Sequence, residues 1–193
     1  MNRPLAGLCL LAFAIALFVA LVPLGAVPHL TDEVAYTLQS KLFAQGLRVG
    51  PAADNASMVQ YPFWVSDPSS YGVFPPGWPA LLSVGQAVGL PWLVNPLIGG
   101  LLPWLSYLVA RELVEEKPAL LAAGVMALSP GVWLLAATRM AHTSVLAALL
   151  VATVVVLRRE QRAWTWWLAG AALAYVVLAR HFDAVLAIPL ILM

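Results

Sequence analysis

Apolar runs of near-bilayer length recur along this chain, at residues 5–22, 91–110, 118–138, 141–157 and 163–179. A helix needs about 20 mostly apolar residues to cross the hydrocarbon core of a membrane. A chain made largely of such runs has too few polar residues to cover a water-soluble core. The charged fraction agrees, at 10% with 62% hydrophobic residues, against roughly 25% charged in soluble domains. The expected fold class is therefore an all-α integral membrane protein. It forms a single transmembrane domain over residues 1–193, with five full spans and the start of a sixth after residue 183.

The first run carries Arg3 on its flank and would suit a signal peptide, but no clean small-x-small cleavage site stands near Gly25-Ala26, so it reads as an anchor. Residues 23–75 form the one long polar stretch. It opens amphipathically, with Val34, Leu38, Leu42 and Phe43 on one helical face and Gly46 as a stop signal. Beyond Val49, Pro, Ser, Asp, Asn and aromatic residues predict an ordered loop, and a loop of this length is usually functional. Residues 80–89 are apolar but too short to span, which predicts a re-entrant or interfacial helix. Ser129-Pro130-Gly131 interrupts the third span.

Short-loop basic residues set orientation. Arg3, the 111–117 loop and the 158–162 loop hold six of the ten Lys/Arg residues, so those ends are expected at the cytoplasm. Three polar groups then fall on the opposite face: Asp32 and Glu33; Arg139 and His142; Arg180, His181 and Asp183. Ionised groups at a membrane edge are functional candidates by default. An arginine matches phosphate bidentately and stabilises it as a leaving group. A carboxylate can deprotonate an acceptor hydroxyl, typically for 10²–10⁴-fold in rate. Asp32, Glu33 and His142 could also hold a divalent cation, oxygen ligands favouring magnesium or manganese and imidazole favouring zinc, although no tight ligand spacing is present.

Each group also has a local reading. Thr31 as N-cap, with Asp32 and Glu33 in the first turn, would complement a helix dipole. Arg139 and Arg180 could snorkel from span ends. His142-Thr143-Ser144 could belong to a cap, His29 suits a structural role, and Asp183 could pair with Arg180 across one turn. Asp54 and Asp67 sit among turn formers, and Asn55-Ala56-Ser57 matches the glycosylation triplet by composition alone. The lone cysteine, Cys9, excludes an intrachain disulfide and a zinc cluster of cysteines. A net charge of +1 without a long basic run offers no footing for nucleic acid.

Thr31-Asp32-Glu33-Val34-Ala35-Tyr36, Gly46, and the segment Phe74-Pro75-Pro76-Gly77-Trp78-Pro79 together resemble the first extracytoplasmic loop of GT-C membrane glycosyltransferases. The resemblance is to protein O-mannosyltransferases, aminoarabinose transferases and related polyprenyl-phosphate-sugar enzymes. Ser129-Pro130 followed by Arg139-Met140-Ala141-His142 is similar to their third-to-fourth-span region. Arg180-His181-Phe182-Asp183 resembles a later motif in which Arg is usually followed by Pro, a position held here by His181. The resemblance covers roughly residues 28–193 and implies a multi-span GT-C bundle with a long first loop carrying juxtamembrane helices. It further implies Asp32 as catalytic base, with Glu33 assisting at acceptor or metal. Arg139, His142, Arg180 and His181 would then lie at the donor phosphate. The implied partners are a polyprenyl-phosphate sugar, membrane lipid and an acceptor glycan, lipid or protein, at the outer side of the cell (inner) membrane. The family carries more spans and a further C-terminal domain, so this chain would correspond to an N-terminal portion. Two other classes stay open: a transporter or flippase subunit for a lipid-phosphate cargo, which the broken third span suits, and a truncated, non-catalytic membrane scaffold.

Overall fold

The computed structural model describes residues 3–52, 62–158 and 162–188. Asp54 and the Asn55-Ala56-Ser57 triplet lie outside the described residues. The chain is mostly helical. It runs α1 (Arg3–Leu21), α2 (Thr31–Ala44), β1 (Gly50–Pro51), β2 (Trp64–Val65), β3 (Ser69–Gly72) and α3 (Gly77–Ala87). A 3₁₀ turn at Pro91–Leu93 leads into α4 (Val94–Arg111), followed by α5 (Glu116–Leu128), α6 (Pro130–Ala137), α7 (His142–Leu157) and α8 (Ala163–Ala179). A second 3₁₀ segment, His181–Ala187, follows where the start of a sixth span is expected.

Among the described residues, two helices are long and apolar enough to cross a membrane, α1 and the continuous Pro91–Arg111 segment. A third qualifies if α5 and α6, bent by 51° at Ser129, count as one broken span. The break falls where Pro130 removes a backbone donor from the helical ladder. Helices α7 and α8 are apolar but have only 16 and 17 residues. Each expected run is thus a helix or a helix pair, while length and composition qualify two or three as spans rather than five.

The packing of these helices is inverted relative to a water-soluble core. Their buried positions are mostly small: Ala12, Ala16 and Ala20 on α1, Ala119, Ala123 and Ala127 on α5, Ala136 on α6 and Ala152 on α7. Large apolar residues face outward instead, with Leu10 67%, Leu121 72% and Val125 73% exposed. Small residues at the seams are the pattern of helices associating in lipid, where outward leucines cost nothing and close backbone approach supplies the attraction.

The long polar stretch folds into a cap at one end of the helices. Its strands form a small antiparallel sheet in the order β1-β3-β2. Asp67 turns the chain between β2 and β3 with a cis bond to Pro68, the turn role expected of it. Gly46 closes α2 with φ +76°, a conformation that favours glycine. Helix α2 buries an unexpected face, however. Glu33, Tyr36, Thr37, Gln39 and Ser40 are buried, while Val34, Leu38, Leu42 and Phe43 are only half-buried. The apolar stripe forecasts the helix correctly, but the stripe is the outer side.

Polar bonds make that inversion possible. The Gln39 amide donates to the Arg48 carbonyl at 2.9 Å and accepts from the Gly72 N–H at 2.7 Å, tying α2 to the sheet. Gln86 of α3 donates to the Ser40 hydroxyl at 3.2 Å. Tyr36, Trp78, Leu82, Met140, Val145 and Val176 form the apolar core where cap and helices meet.

Candidate functional site

The start of α2 sorts the two adjacent acids into different jobs. The N-cap position is Leu30 rather than Thr31, whose hydroxyl donates weakly to Asp32 at 3.4 Å. The capping is done from inside the helix, by Glu33 reaching back. Its Oε2 accepts from the backbone N–H of His29 at 2.7 Å and of Leu30 at 3.1 Å. Its Oε1 accepts from the backbone N–H of Arg139, in the linker between α6 and α7. Glu33 is 1% exposed and three backbone donors occupy both its oxygens. In this arrangement it anchors the start of α2 to the linker between α6 and α7. Asp32, one residue earlier, is half-buried and accepts only from the Thr31 hydroxyl among the bonds described.

Arg139 is an anchor too. Its guanidinium donates to the Thr37 hydroxyl at 3.1 Å and to the Ala26 carbonyl at 2.6 Å, and its own carbonyl accepts from the Trp78 indole at 2.7 Å. Burial pushes its pKa below the ordinary arginine value, partly offset by the Glu33 charge. It stitches the 22–30 turn, α2, α3 and the 138–141 linker into one piece. Asn95, at the start of α4, holds the same linker through the carbonyls of Thr138 and Met140, both at 2.7 Å. His29 is structural as expected, its Nε2 lying 2.8 Å from the Leu24 carbonyl.

The charged group that remains is Asp32, Tyr36, His142, Arg180 and Asp183. The Arg180 Nε donates to Asp183 Oδ2 at 2.6 Å, the expected pairing across one turn. Arg180 also acts electrostatically on the Tyr36 hydroxyl. Burial raises the Tyr36 pKa, Arg180 works against that rise, and Asp32 and Asp183 add to it. His142 lies within electrostatic reach of Arg180, Asp183 and Asp32. It is the first residue of α7, and its Nδ1 is buried with no hydrogen-bond partner. Ser144 makes the local bond there instead, donating to the Ala141 carbonyl at 2.8 Å. On its other side His142 borders a cavity of about 200 Å³ with Leu102, Val132, Leu135, Thr143 and Leu146, where the Thr143 hydroxyl is also unpartnered. His181 stands apart, exposed and stacked on Phe182 with ring centroids 4.1 Å apart.

The Phe74-to-Pro79 segment is the frame of this group. Phe74 packs on the Tyr36 ring at 4.6 Å between centroids. Gly77 lies against the end of α8, where a Cβ would sit 2.7 Å from the Leu178 carbonyl carbon and 2.9 Å from the Ala179 nitrogen. The motif therefore sets the position of Arg180, the residue that follows.

Among the described residues no three His, Cys, Asp or Glu side chains gather as ligands. Of the site residues named from sequence, Asp32, His142, Arg180 and Asp183 lie within electrostatic reach of Tyr36 or of one another, Glu33 and Arg139 bond within the scaffold, and His181 is exposed. Tyr36 is the member that residue-by-residue reasoning passed over. Its position one helical turn after Asp32 is the signal that could have found it. Comparison with protein-family models, with curated proteins and with solved structures finds no match to this chain.

Proposed function

We propose that this chain is a multi-pass protein of the cell (inner) membrane, of GT-C type, that transfers a sugar from a polyprenyl-phosphate donor on the extracytoplasmic side. One observation carries the reading: of two adjacent acids, Glu33 is held by three backbone donors, while Asp32 is half-buried and within electrostatic reach of Tyr36 and His142, two residues that Arg180 also reaches. In this mechanism Asp32 takes the proton from an acceptor hydroxyl as that oxygen bonds the anomeric carbon. The bond from that carbon to phosphate breaks, and the polyprenyl phosphate leaves with the electron pair. Arg180, held by Asp183, stabilises the departing phosphate with the donors that Asp183 does not use. Tyr36, kept neutral by burial, donates or accepts a hydrogen bond at the same place.

The proposed orientation rests on charge: Arg111 ends α4, Arg158 and Arg162 flank the link from α7 to α8, and basic residues mark the cytoplasmic side. Asp32→Asn should lower sugar transfer by about 10²–10⁴-fold, the range for a lost general base, with the unfolding midpoint unchanged. Transfer within twofold of the parent chain would remove Asp32 from the role. The bend at Ser129 favours a second reading, translocation of a lipid-phosphate cargo. Flux in liposomes lacking any glycosyl donor would select it.

A further inference from the structure

At the end of the helices opposite Asp32, α4, α7 and α8 diverge around a cavity of about 440 Å³. Its walls are apolar, with Leu108, Val151 and Trp104, and its mouth carries Arg158, Arg162 and Trp164. Arg158 shares its guanidinium with Glu112 at 3.2 Å in an exposed pair, an arrangement that contributes little to stability. Arg162 is exposed at the N-cap of α8. By sequence, the 111–117 and 158–162 stretches at this end carry five Lys/Arg against four Glu, a net positive charge. The first turn of α8 adds a row of outward tryptophans, Trp164, Trp166 and Trp167, the last 83% exposed. Tryptophans in such a row lie at the headgroup level of a bilayer.

A trough with apolar walls between helices and a positive mouth at headgroup depth matches one kind of molecule, a lipid with an anionic headgroup. We infer that this cavity binds an anionic phospholipid of the surrounding leaflet. The headgroup phosphate sits between Arg162 and Arg158, and an acyl chain runs along Trp104, Leu108 and Val151. Basic pockets between membrane helices are used this way. A soluble phosphate would gain the arginines but leave the apolar trough unfilled, so the lipid is the occupant the shape selects. The inference concerns the far end of the molecule and stands whether or not Asp32 is catalytic.

The test uses the full chain in nanodiscs and quenching of tryptophan fluorescence by phospholipids brominated on the acyl chain. Brominated phosphatidylglycerol is compared with brominated phosphatidylcholine at equal mole fraction. Phosphatidylglycerol should occupy the site roughly fivefold more, the preference expected of one arginine near a bilayer surface. Arg158→Gln combined with Arg162→Gln should abolish the excess, and lysine at both positions should restore most of it. Trp164→Phe should shrink the excess signal, which places it at this mouth. Equal quenching by the two lipids overturns the inference, as does an excess that survives the double glutamine variant. Loss of the excess on adding about 50 mM inorganic phosphate, but not chloride of equal ionic strength, would show free phosphate to be the ligand and would overturn it too.

Discussion

The cap over α2, the sheet and α3 is held by directed polar bonds, whereas the helices beneath it are held by close contact of small residues. In the cap the buried face of α2 carries Glu33, Thr37, Gln39 and Ser40, each hydrogen-bonded. In the helices Gly99 meets Ala136 and Gly100 meets Phe13 so closely that an added Cβ would lie 2.6 Å and 2.9 Å from the neighbouring Cβ atoms. The two solutions follow from two surroundings. Where water reaches, an exposed apolar face is tolerated and a polar network can fix a unique geometry. Where lipid surrounds the helix, apolar burial gives no drive, so close approach must supply the attraction. Site chemistry sits on the first kind of structure because a half-buried acid such as Asp32 needs rigid neighbours that are already satisfied.

Breaking the cap should have the largest effect. Glu33→Ala orphans the buried N–H of Arg139 and removes the charged acceptor of the part-buried His29 and Leu30 N–H groups, and a buried donor left unsatisfied costs about 1–3 kcal/mol, more where a charged partner is lost. We expect a loss of about 3–5 kcal/mol, read as a lower unfolding midpoint in detergent. Asp32→Ala should cost below about 1 kcal/mol, the ordinary range away from buried networks. Equal losses for the two acids would erase the division of labour between them.

Breaking a helix seam should come next. Gly100→Leu places a side chain against Phe13 Cβ and the Cys9 carbonyl, and the backbone of α1 cannot yield locally. Overpacking of this kind costs about 1–3 kcal/mol. Titration with a denaturing detergent should show it, and an unchanged midpoint would mean that α1 and α4 are free to separate.

How far sequence alone reaches follows the same line. Apolar runs and their stops forecast α1, α4, α7 and α8 closely, because periodicity and length are local signals, and Ser129-Pro130-Gly131 marked the break in the third span for the same reason. Sidedness was legible as well: residues 32, 142, 180 and 183 come together from distant segments. What stayed hidden was the role of each charge. Glu33 and Arg139 looked like chemistry because they are ionised, yet most of their partners are backbone atoms, and the bond that joins Glu33 to Arg139 spans 106 residues. A backbone partner carries no residue-type signature. The inverted α2 was hidden for a similar reason, since an amphipathic pattern tells two faces apart without saying which one the fold will bury.

A smaller effect should appear at high pH and only through the cap. The folded phenol of Tyr36 stays protonated above its ordinary pKa of about 10, because burial raises it. The folded chain then binds more protons than the unfolded chain there, so stability holds below about pH 10 and falls as pH climbs towards the folded pKa. Tyr36→Phe should flatten part of that fall by less than about 1 kcal/mol, seen as a converging unfolding midpoint of variant and parent between about pH 9 and pH 11. Parallel curves would mean that Tyr36 is not shielded as the structure has it.

The smallest expected effect tests the helices from outside. Leu121 on α5 is 72% exposed, with Val125 and Leu128 beside it on the same outward side. If lipid covers that side, Leu121→Ala exchanges one lipid contact for another in folded and unfolded chains alike, and the midpoint in bicelles should move by less than about 0.5 kcal/mol. If protein covers it, as a second copy or further helices, the same change removes a packed side chain and costs about 2–5 kcal/mol. Gly100→Leu and Leu121→Ala therefore probe one rule from its two sides. A large loss at Leu121 would mean that the outward leucines are an unfilled interface and that small residues are not all that holds these helices.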